Sequence, residues 1–329
     1  DIKGGTVQNF AGDPPAPITG QVWYDSTNVT FQYQFSAPEA WITGGNLNTA
    51  RYNLMGAGSQ TAALASAGTA PPGSQVVTET YNGTSWTETG DLNTTAEGRA
   101  GGGTSSTAVI AGGRLGPPGY TTNSETWGGS SWTETGDLNS ARSNAAGTGA
   151  NSDAVLFTGG QNPGAYPPRG QTGNTESYDG SSWTEVSDLN SDRSSGASLG
   201  TNTAALMVSG INPGLSPVTR AETESWNGTS WTEVGDMNSG RYKSAAFGTT
   251  TAGIAGGGSP PDTSAETEKW NGTSWTEVSD LNVGRYQLGY GTTGTTTAGI
   301  AIAGRTDAPV ANTEEWSSPA AVTYTITTS

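Results

Sequence analysis

The 329-residue sequence predicts an all-β fold: a six-bladed β-propeller with four antiparallel strands per blade. Three observations predict it. First, one thirteen-residue phrase occurs five times, as YNGTSWTETGDLN (81–93), WGGSSWTETGDLN (127–139), YDGSSWTEVSDLN (178–190), WNGTSWTEVGDMN (226–238) and WNGTSWTEVSDLN (270–282). Second, the Trp inside it, counted from Trp41 through Trp86, Trp132, Trp183, Trp231 and Trp275, recurs at spacings of 45, 46, 51, 48 and 44 residues. Periods of that size belong to propeller blades or to helical repeats. Third, the residues between anchors decide for strands. They are short β-compatible runs such as STAVIAGG (106–113) and NTAALMVSG (202–210), set among abundant Gly, Thr and Ser.

Each period holds four strand-like runs, labelled a to d from the innermost outward. In the second full unit they are expected near 142–149, 153–159, 175–178 and 183–187. Strand a is expected to start near residues 51, 95, 142, 193, 241 and 285. The recurring phrase is then the c–d hairpin, because Asn-Gly or Asp-Gly between two strand runs is a strong hairpin signal. It stands at Asn82-Gly83, Asp179-Gly180, Asn227-Gly228 and Asn271-Gly272, with Gly128-Gly129 in the remaining unit. The aromatic before each turn and the Trp five residues later fill the space between neighbouring blades. The phrase recurs because every blade must pack on the next.

Strand d follows strand c only five times, since no anchor Trp comes after Trp316. The missing strand stands at the other end, where WITGGNLN (41–48) matches the d-strand phrase. The N-terminal side is therefore expected to close the sixth blade. This divides the chain into 1–40, an attachment segment with a β-hairpin; 41–317, the propeller; and 318–329, a C-terminal strand or tail. The hairpin is expected from Val22-Trp23-Tyr24 and the run Phe31 to Phe35, and the alternating tail from Val322 can pair with it.

These residues resemble the kelch pattern, in which a di-glycine closes strand b, an aromatic follows, and a Trp comes five or six residues on. The pattern stands here as Gly112-Gly113, Trp127, Trp132 and as Gly159-Gly160, Tyr178, Trp183. Three units depart from it, with Ala67-Gly68, Ser209-Gly210 and Ala303-Gly304 in place of the di-glycine. The phrase NGTSWTEV-DLN, the stretch GQVWYDSTNVTFQY (20–33) and the ending TITTS resemble kelch-like repeat proteins of marine bacteriophages, which look like tail-fibre or virion-surface proteins. That resemblance implies a location on the virion surface or outside the cell. It implies other virion proteins, or further copies of the chain, as partners. SYDGSSW (177–183) lacks one residue of the sialidase Asp-box and is not read as one.

Composition narrows the chemistry. The chain has no Cys and no His, which removes disulfides, thiolate nucleophiles, His bases and the usual zinc ligands. The oxidase chemistry of some kelch propellers needs those ligands. The net charge of −16 argues against nucleic acid and against an anionic membrane. No apolar run approaches the roughly 18 residues of a membrane helix. The chain begins at Asp rather than Met, which points to a processed or partial sequence. Gly101 to Gly103 are not a phosphate loop, because no Gly-Lys-Ser/Thr follows.

Asp91, Asp137, Asp188, Asp236 and Asp280 lie five residues after an anchor Trp. Arg51, Arg142, Arg193, Arg241 and Arg285 lie ten after one, with Ala96 at the equivalent place in the remaining unit. They read either as a ring of Ca²⁺ or anion sites or as scaffold, with Asp ordering the d–a turn and pairing with Arg. Recurrence in nearly every unit favours scaffold. The same holds for Glu79, Glu125, Glu176, Glu224, Glu268 and Glu314 in strand c. No cofactor and no catalytic residue is expected. The Asn-x-Ser/Thr sequons at Asn28, Asn82, Asn93, Asn227 and Asn271 are read mainly as turn chemistry.

The b–c connections differ in every unit and hold 12 of the 17 prolines. Proline stiffens an exposed loop and lowers the entropy lost on binding. That face is expected to meet a host-surface glycan or protein through Arg114, Tyr120, Tyr166, Arg169, Arg220, Asp262, Arg305 and Asp307. The expected function is a non-enzymatic extracellular or virion-surface attachment protein. The alternative is a secreted carbohydrate-active enzyme on a propeller scaffold.

Overall fold

The computed structural model describes residues 7–18, 20–35, 38–116, 119–162, 170–259, 263–318 and 322–326. Among them there is no helix. The chain forms two compact units, one of Ala40–Ser317 and one of Asp1–Glu39 with Ser318–Ser329.

The larger unit contains six four-stranded antiparallel sheets. In strand order a-b-c-d, the first runs Met55–Ser59, Ala62–Ser66, Thr78–Tyr81, Trp86–Glu88. The second runs Ala100–Gly103, Ala108–Ala111, Ser124–Trp127, Trp132–Glu134. The third runs Ala146–Asn151, Ala154–Thr158, Thr175–Tyr178, Trp183–Val186, and the fourth Ala197–Gly200, Ala205–Ile211, Thr219–Trp226, Trp231–Glu233. The fifth runs Ala245–Thr249, Ala252–Gly256, Thr267–Trp270, Trp275–Val278. The sixth joins Gly289–Tyr290, Ala298–Arg305 and Pro309–Ser317 to Ala40–Thr43, with Trp41 opposite Trp316.

Strand a of each sheet lies against strand a of the next, and Gly289–Tyr290 lies against both Ala245–Thr249 and Met55–Ser59. Glycine makes that approach possible. A Cβ on Gly56 would stand 2.5 Å from the carbonyl oxygen of Tyr290, and one on Gly147 2.5 Å from that of Gly101.

The recurring phrase is the c–d hairpin, but its turn is longer than the two residues of the Asn-Gly signal. Tyr81 pairs with Trp86, so four residues form the loop. Only the Gly has a positive φ, +90° at Gly83, while Asn82 Oδ1 accepts from the N–H groups of Thr84 and Ser85. Asn is there as an acceptor rather than as a left-handed residue. Asn227 and Asn271 do the same.

Each anchor Trp bridges to the preceding sheet. Its indole N–H donates to a hydroxyl in that sheet's strand c: Trp86 to Thr313, Trp132 to Thr78, Trp183 to Ser124, Trp231 to Thr175, Trp275 to Thr223 and Trp41 to Thr267. The six bonds, 2.9–3.2 Å long, link every sheet to its neighbour. Trp275 is 5% exposed and packs with Leu206 and Val208 of the fourth sheet. Trp275→Ala is expected to cost ~3–5 kcal/mol. Thr223→Val removes only the indole's acceptor and is expected to cost roughly 1–3 kcal/mol. Urea unfolding of both variants separates packing from hydrogen bonding, and equal costs would contradict a packing role.

The phrase's last residue ties neighbouring sheets as well. The backbone and side-chain N–H groups of Asn139 both donate to Glu176 Oε2 in the next sheet, and its amide also reaches the Trp183 carbonyl. Asn48, Asn93, Asn190, Asn238 and Asn282 repeat this on Glu79, Glu125, Glu224, Glu268 and Glu314. The Asn93 sequon is therefore committed to Glu125.

The arginines correct an expectation. They pair with strand c Glu of their own sheet, not with the turn Asp: Arg51–Glu79, Arg142–Glu176, Arg193–Glu224, Arg241–Glu268 and Arg285–Glu314. In the second sheet, where Ala96 breaks the spacing, Arg99 reaches Glu125 at 2.9 Å. The turn Asp has a different partner, the backbone N–H that opens strand c, as Asp188 with Thr175 at 3.1 Å and Asp280 with Thr267 at 3.1 Å. A buried guanidinium needs a buried charge opposite, and the turn Asp residues are exposed.

In the smaller unit, Val22–Asp25 pairs antiparallel with Thr30–Phe35, which pairs antiparallel with Val322–Ile326. A strand the sequence reading did not anticipate, Gln8–Phe10, adds parallel to Val22–Asp25.

Candidate functional site

Just before strand a of each sheet, the chain turns through one residue in the left-handed region. These are Asn53 (φ +54°), Gly98 (+65°), Asn144 (+52°), Ser195 (+57°), Lys243 (+59°) and Gln287 (+59°). Strand a consequently begins about four residues later than its expected start. The turn exposes one N–H and one C=O per sheet, and these pair from sheet to sheet. Asn144 N–H donates to Gly98, Ser195 to Asn144, Lys243 to Ser195, Gln287 to Lys243 and Asn53 to Gln287, at 2.6–2.9 Å.

The residue before each turn forms a β-bridge with the start of a b–c connection: Tyr52 with Thr69, Glu97 with Arg114, Ser143 with Gln161, Ser194 with Ile211, Tyr242 with Ser259 and Tyr286 with Arg305. The b–c connections thus begin at the rim made by the turn residues. Several continue as short ribbons, Thr69–Ala70 with Gly73–Ser74 and Arg114–Gly116 with Gly119–Tyr120 among them.

The rim surrounds a cavity of about 220 Å³ lined by Asn53, Glu97, Gly98, Arg114, Ser143, Asn144, Gln161, Ser195, Ile211, Tyr242 and Lys243. A smaller cavity of about 80 Å³ shares the turn residues and continues along strand a to Met55, Gly101, Tyr290 and Thr292. The rim is dominated by amides and hydroxyls. Asn144 Nδ2 donates to Gln161 Oε1 at 3.2 Å, and Gln287 Nε2 to Asn53 Oδ1 at 2.6 Å.

Charge at the rim is uneven. Arg114 is paired with Glu97. Lys243 is half-buried and, among the described residues, has no ion pair. Burial pushes its ammonium down to about 8, nearby Arg305 adds to the shift, and Glu97 opposes it. The Arg305 guanidinium lies 4.9 Å from the Tyr52 ring centre and 5.8 Å from that of Tyr286, and donates to the Asp307 carbonyl. Its buried Nε has no hydrogen-bond partner among the described residues.

The expected recognition residues divide into three groups. Arg114 and Arg305 stand at the rim through their β-bridges, and Tyr120 lies opposite Arg114 across the ribbon. Arg220 is paired with Glu222, and Asp307 is exposed. Tyr166, Arg169 and Asp262 lie outside the described residues. Lys243 and the other turn residues were not anticipated. The one signal was their equivalent position, two residues after the repeating Arg in five of the six sheets. Among the described residues, no group of three acidic side chains converges as a metal site.

Comparison with protein-family models gives no match, and comparison with curated proteins gives none either.

Proposed function

We propose that the larger unit is a closed six-bladed β-propeller and that it serves as a non-enzymatic attachment protein, outside the cell or on a virion surface. Three features support closure. The indole bonds run from every sheet to the one before it. The turn-residue relay passes from the second sheet through the sixth to the first. Strand Ala40–Thr43 completes the sheet that contains Trp316. Closure removes sheet edges, which suits a protein that must persist without disulfides.

The observation that carries the binding role is the contrast between the two kinds of loop. The five c–d hairpins repeat one turn, and four of them, at Asn82, Asp179, Asn227 and Asn271, repeat its side-chain hydrogen bonds. The b–c connections vary in length and sequence, contain most of the proline, and start at the polar rim. A constant scaffold with varied, braced loops at a concave rim is an arrangement suited to recognition. The repeated Asp and Glu are engaged in strand and inter-sheet contacts, which favours binding over acid–base catalysis. The virion setting rests on the resemblance to bacteriophage kelch-like proteins. The ligand is a host-surface glycan or protein.

Labelled protein should adhere to a subset of a bacterial panel. Replacing Tyr166 and Arg169 with Ala should reduce adherence at least tenfold, whereas Thr229→Arg with Thr273→Arg, on the c–d hairpins, should leave it unchanged. The opposite pattern in folded variants would move the site to the other face.

A further inference from the structure

Lys243 stands apart from the eight arginines that have ion-pair partners. Six Arg are consumed by the strand c Glu residues, and Arg114 and Arg220 by Glu97 and Glu222. Lys243 and Arg305 are left at the rim without an ion pair among the described residues, in a chain of net charge −16. Lys243 fills the left-handed turn position that the other sheets fill with Asn53, Gly98, Asn144, Ser195 and Gln287, and it is the one charged residue among the six. Apart from the Arg114–Glu97 pair and Tyr242, the polar side chains lining the cavity with it are the amides of Asn53, Asn144 and Gln161 and the hydroxyls of Ser143 and Ser195. They can donate to and accept from a ring of hydroxyls.

We propose that this rim cavity, with Lys243 in its lining, binds the carboxylate of an acidic sugar residue, the amides and hydroxyls around it holding the sugar's hydroxyl groups. At about 220 Å³ the cavity is below the roughly 300–1,000 Å³ of whole-ligand pockets, so it takes one residue of a longer glycan. One ammonium with Arg305 nearby matches a single charge. The acidic remainder of the chain repels a polyanion such as nucleic acid. An ammonium already depressed to about 8 gains from a carboxylate, which replaces the hydration it has lost. The charged and titratable groups facing it are Glu97, Arg114, Arg305 and the Tyr242 ring, 5.9 Å from Nζ.

The proposal rests on the reading of this face as the binding face, yet it can fail separately. The chain has only three Lys: Lys3, Lys243 and Lys269. Lysine-selective ¹³C NMR of the intact wild-type protein therefore follows Lys243 directly. D-glucuronate should move the Lys243 signal and raise its titration midpoint from about 8, while D-glucose should not. Acetate should need at least tenfold higher concentration. Binding should weaken as pH rises past the midpoint. Lys243→Gln should weaken glucuronate binding at least tenfold by calorimetry, and Lys269→Gln should not. No response of Lys243 to glucuronate overturns the proposal. An equal response to acetate, or a response only to a Glu-rich peptide, also overturns it. If the Tyr166/Arg169 variant loses adherence while Lys243 ignores glucuronate, the attachment role stands and the acidic-sugar site falls.

Discussion

Removing residues 41–48 is expected to convert a monodisperse protein into an aggregating one. The segment supplies most of the outer strand of the sixth sheet, where Thr43, Ile42 and Trp41 pair with Glu314, Glu315 and Trp316. Its loss would uncover Pro309–Ser317, a nine-residue strand. A long unpaired edge is a template for another chain. The deletion also takes away Trp41, 4% exposed, with its edge-to-face contacts to Phe247 and Trp316. Asn48, which donates twice to Glu79 in the first sheet, goes as well. Losing the Trp alone should cost ~3–5 kcal/mol, a large part of the 5–15 kcal/mol that keeps a typical domain folded. Light scattering and a thermal melt check this. A deletion that stays monodisperse and melts like the parent would refute the role of the segment.

Glu176→Gln is expected to be the most damaging single polar substitution tested in the third sheet. Glu176 is fully buried opposite the equally buried Arg142. One oxygen faces the guanidinium, and the other accepts both N–H groups of Asn139 from the second sheet. Burial pulls the Arg142 guanidinium below its ordinary value, and the Glu176 charge holds it up. Gln keeps the shape but removes the charge, leaving an uncompensated cation in the interior. Breaking such a pair from one side costs ~3–5 kcal/mol. Asp188→Asn, at an exposed turn, should cost under about 1 kcal/mol. Urea unfolding measures both, and similar small losses would show that the buried pair does not hold the sheets together.

The sheets were legible because each demands the same solution. A four-residue turn needs an acceptor and a Gly, and a junction needs a Trp, so Asn-Gly and Trp recur at fixed offsets. Trp41 was recognisable as a displaced strand d for the same reason. The ion pairs were legible as residues but not as partners. Asp and Glu both recur near Arg, and only burial tells which carboxylate the guanidinium meets. Arg99 was missed because it sits off the spacing that five other arginines keep. The rim was the least legible feature. Its six turn residues share a backbone conformation but no common side-chain type, so only their place two residues after the repeating Arg, in five of the six sheets, marks them. The strand Gln8–Phe10 was missed because three residues carry no usable alternation.

The N-terminal closure of the sixth sheet is tested most directly by cross-linking. The chain has no Cys, so an introduced pair is unambiguous. Ile42 lies opposite Glu315 in the sixth sheet, where paired Cα atoms stand roughly 5.5 Å apart, within disulfide reach. Thr126 holds the place in the second sheet that Glu315 holds in the sixth, with Thr133 opposite it. Ile42→Cys with Glu315→Cys should oxidise in air to an intramolecular disulfide in monomeric protein, read as a mobility shift reversed by reductant. Ile42→Cys with Thr126→Cys should not. Absence of the first cross-link, or its appearance only between two chains, would contradict a ring closed by its own N-terminal strand.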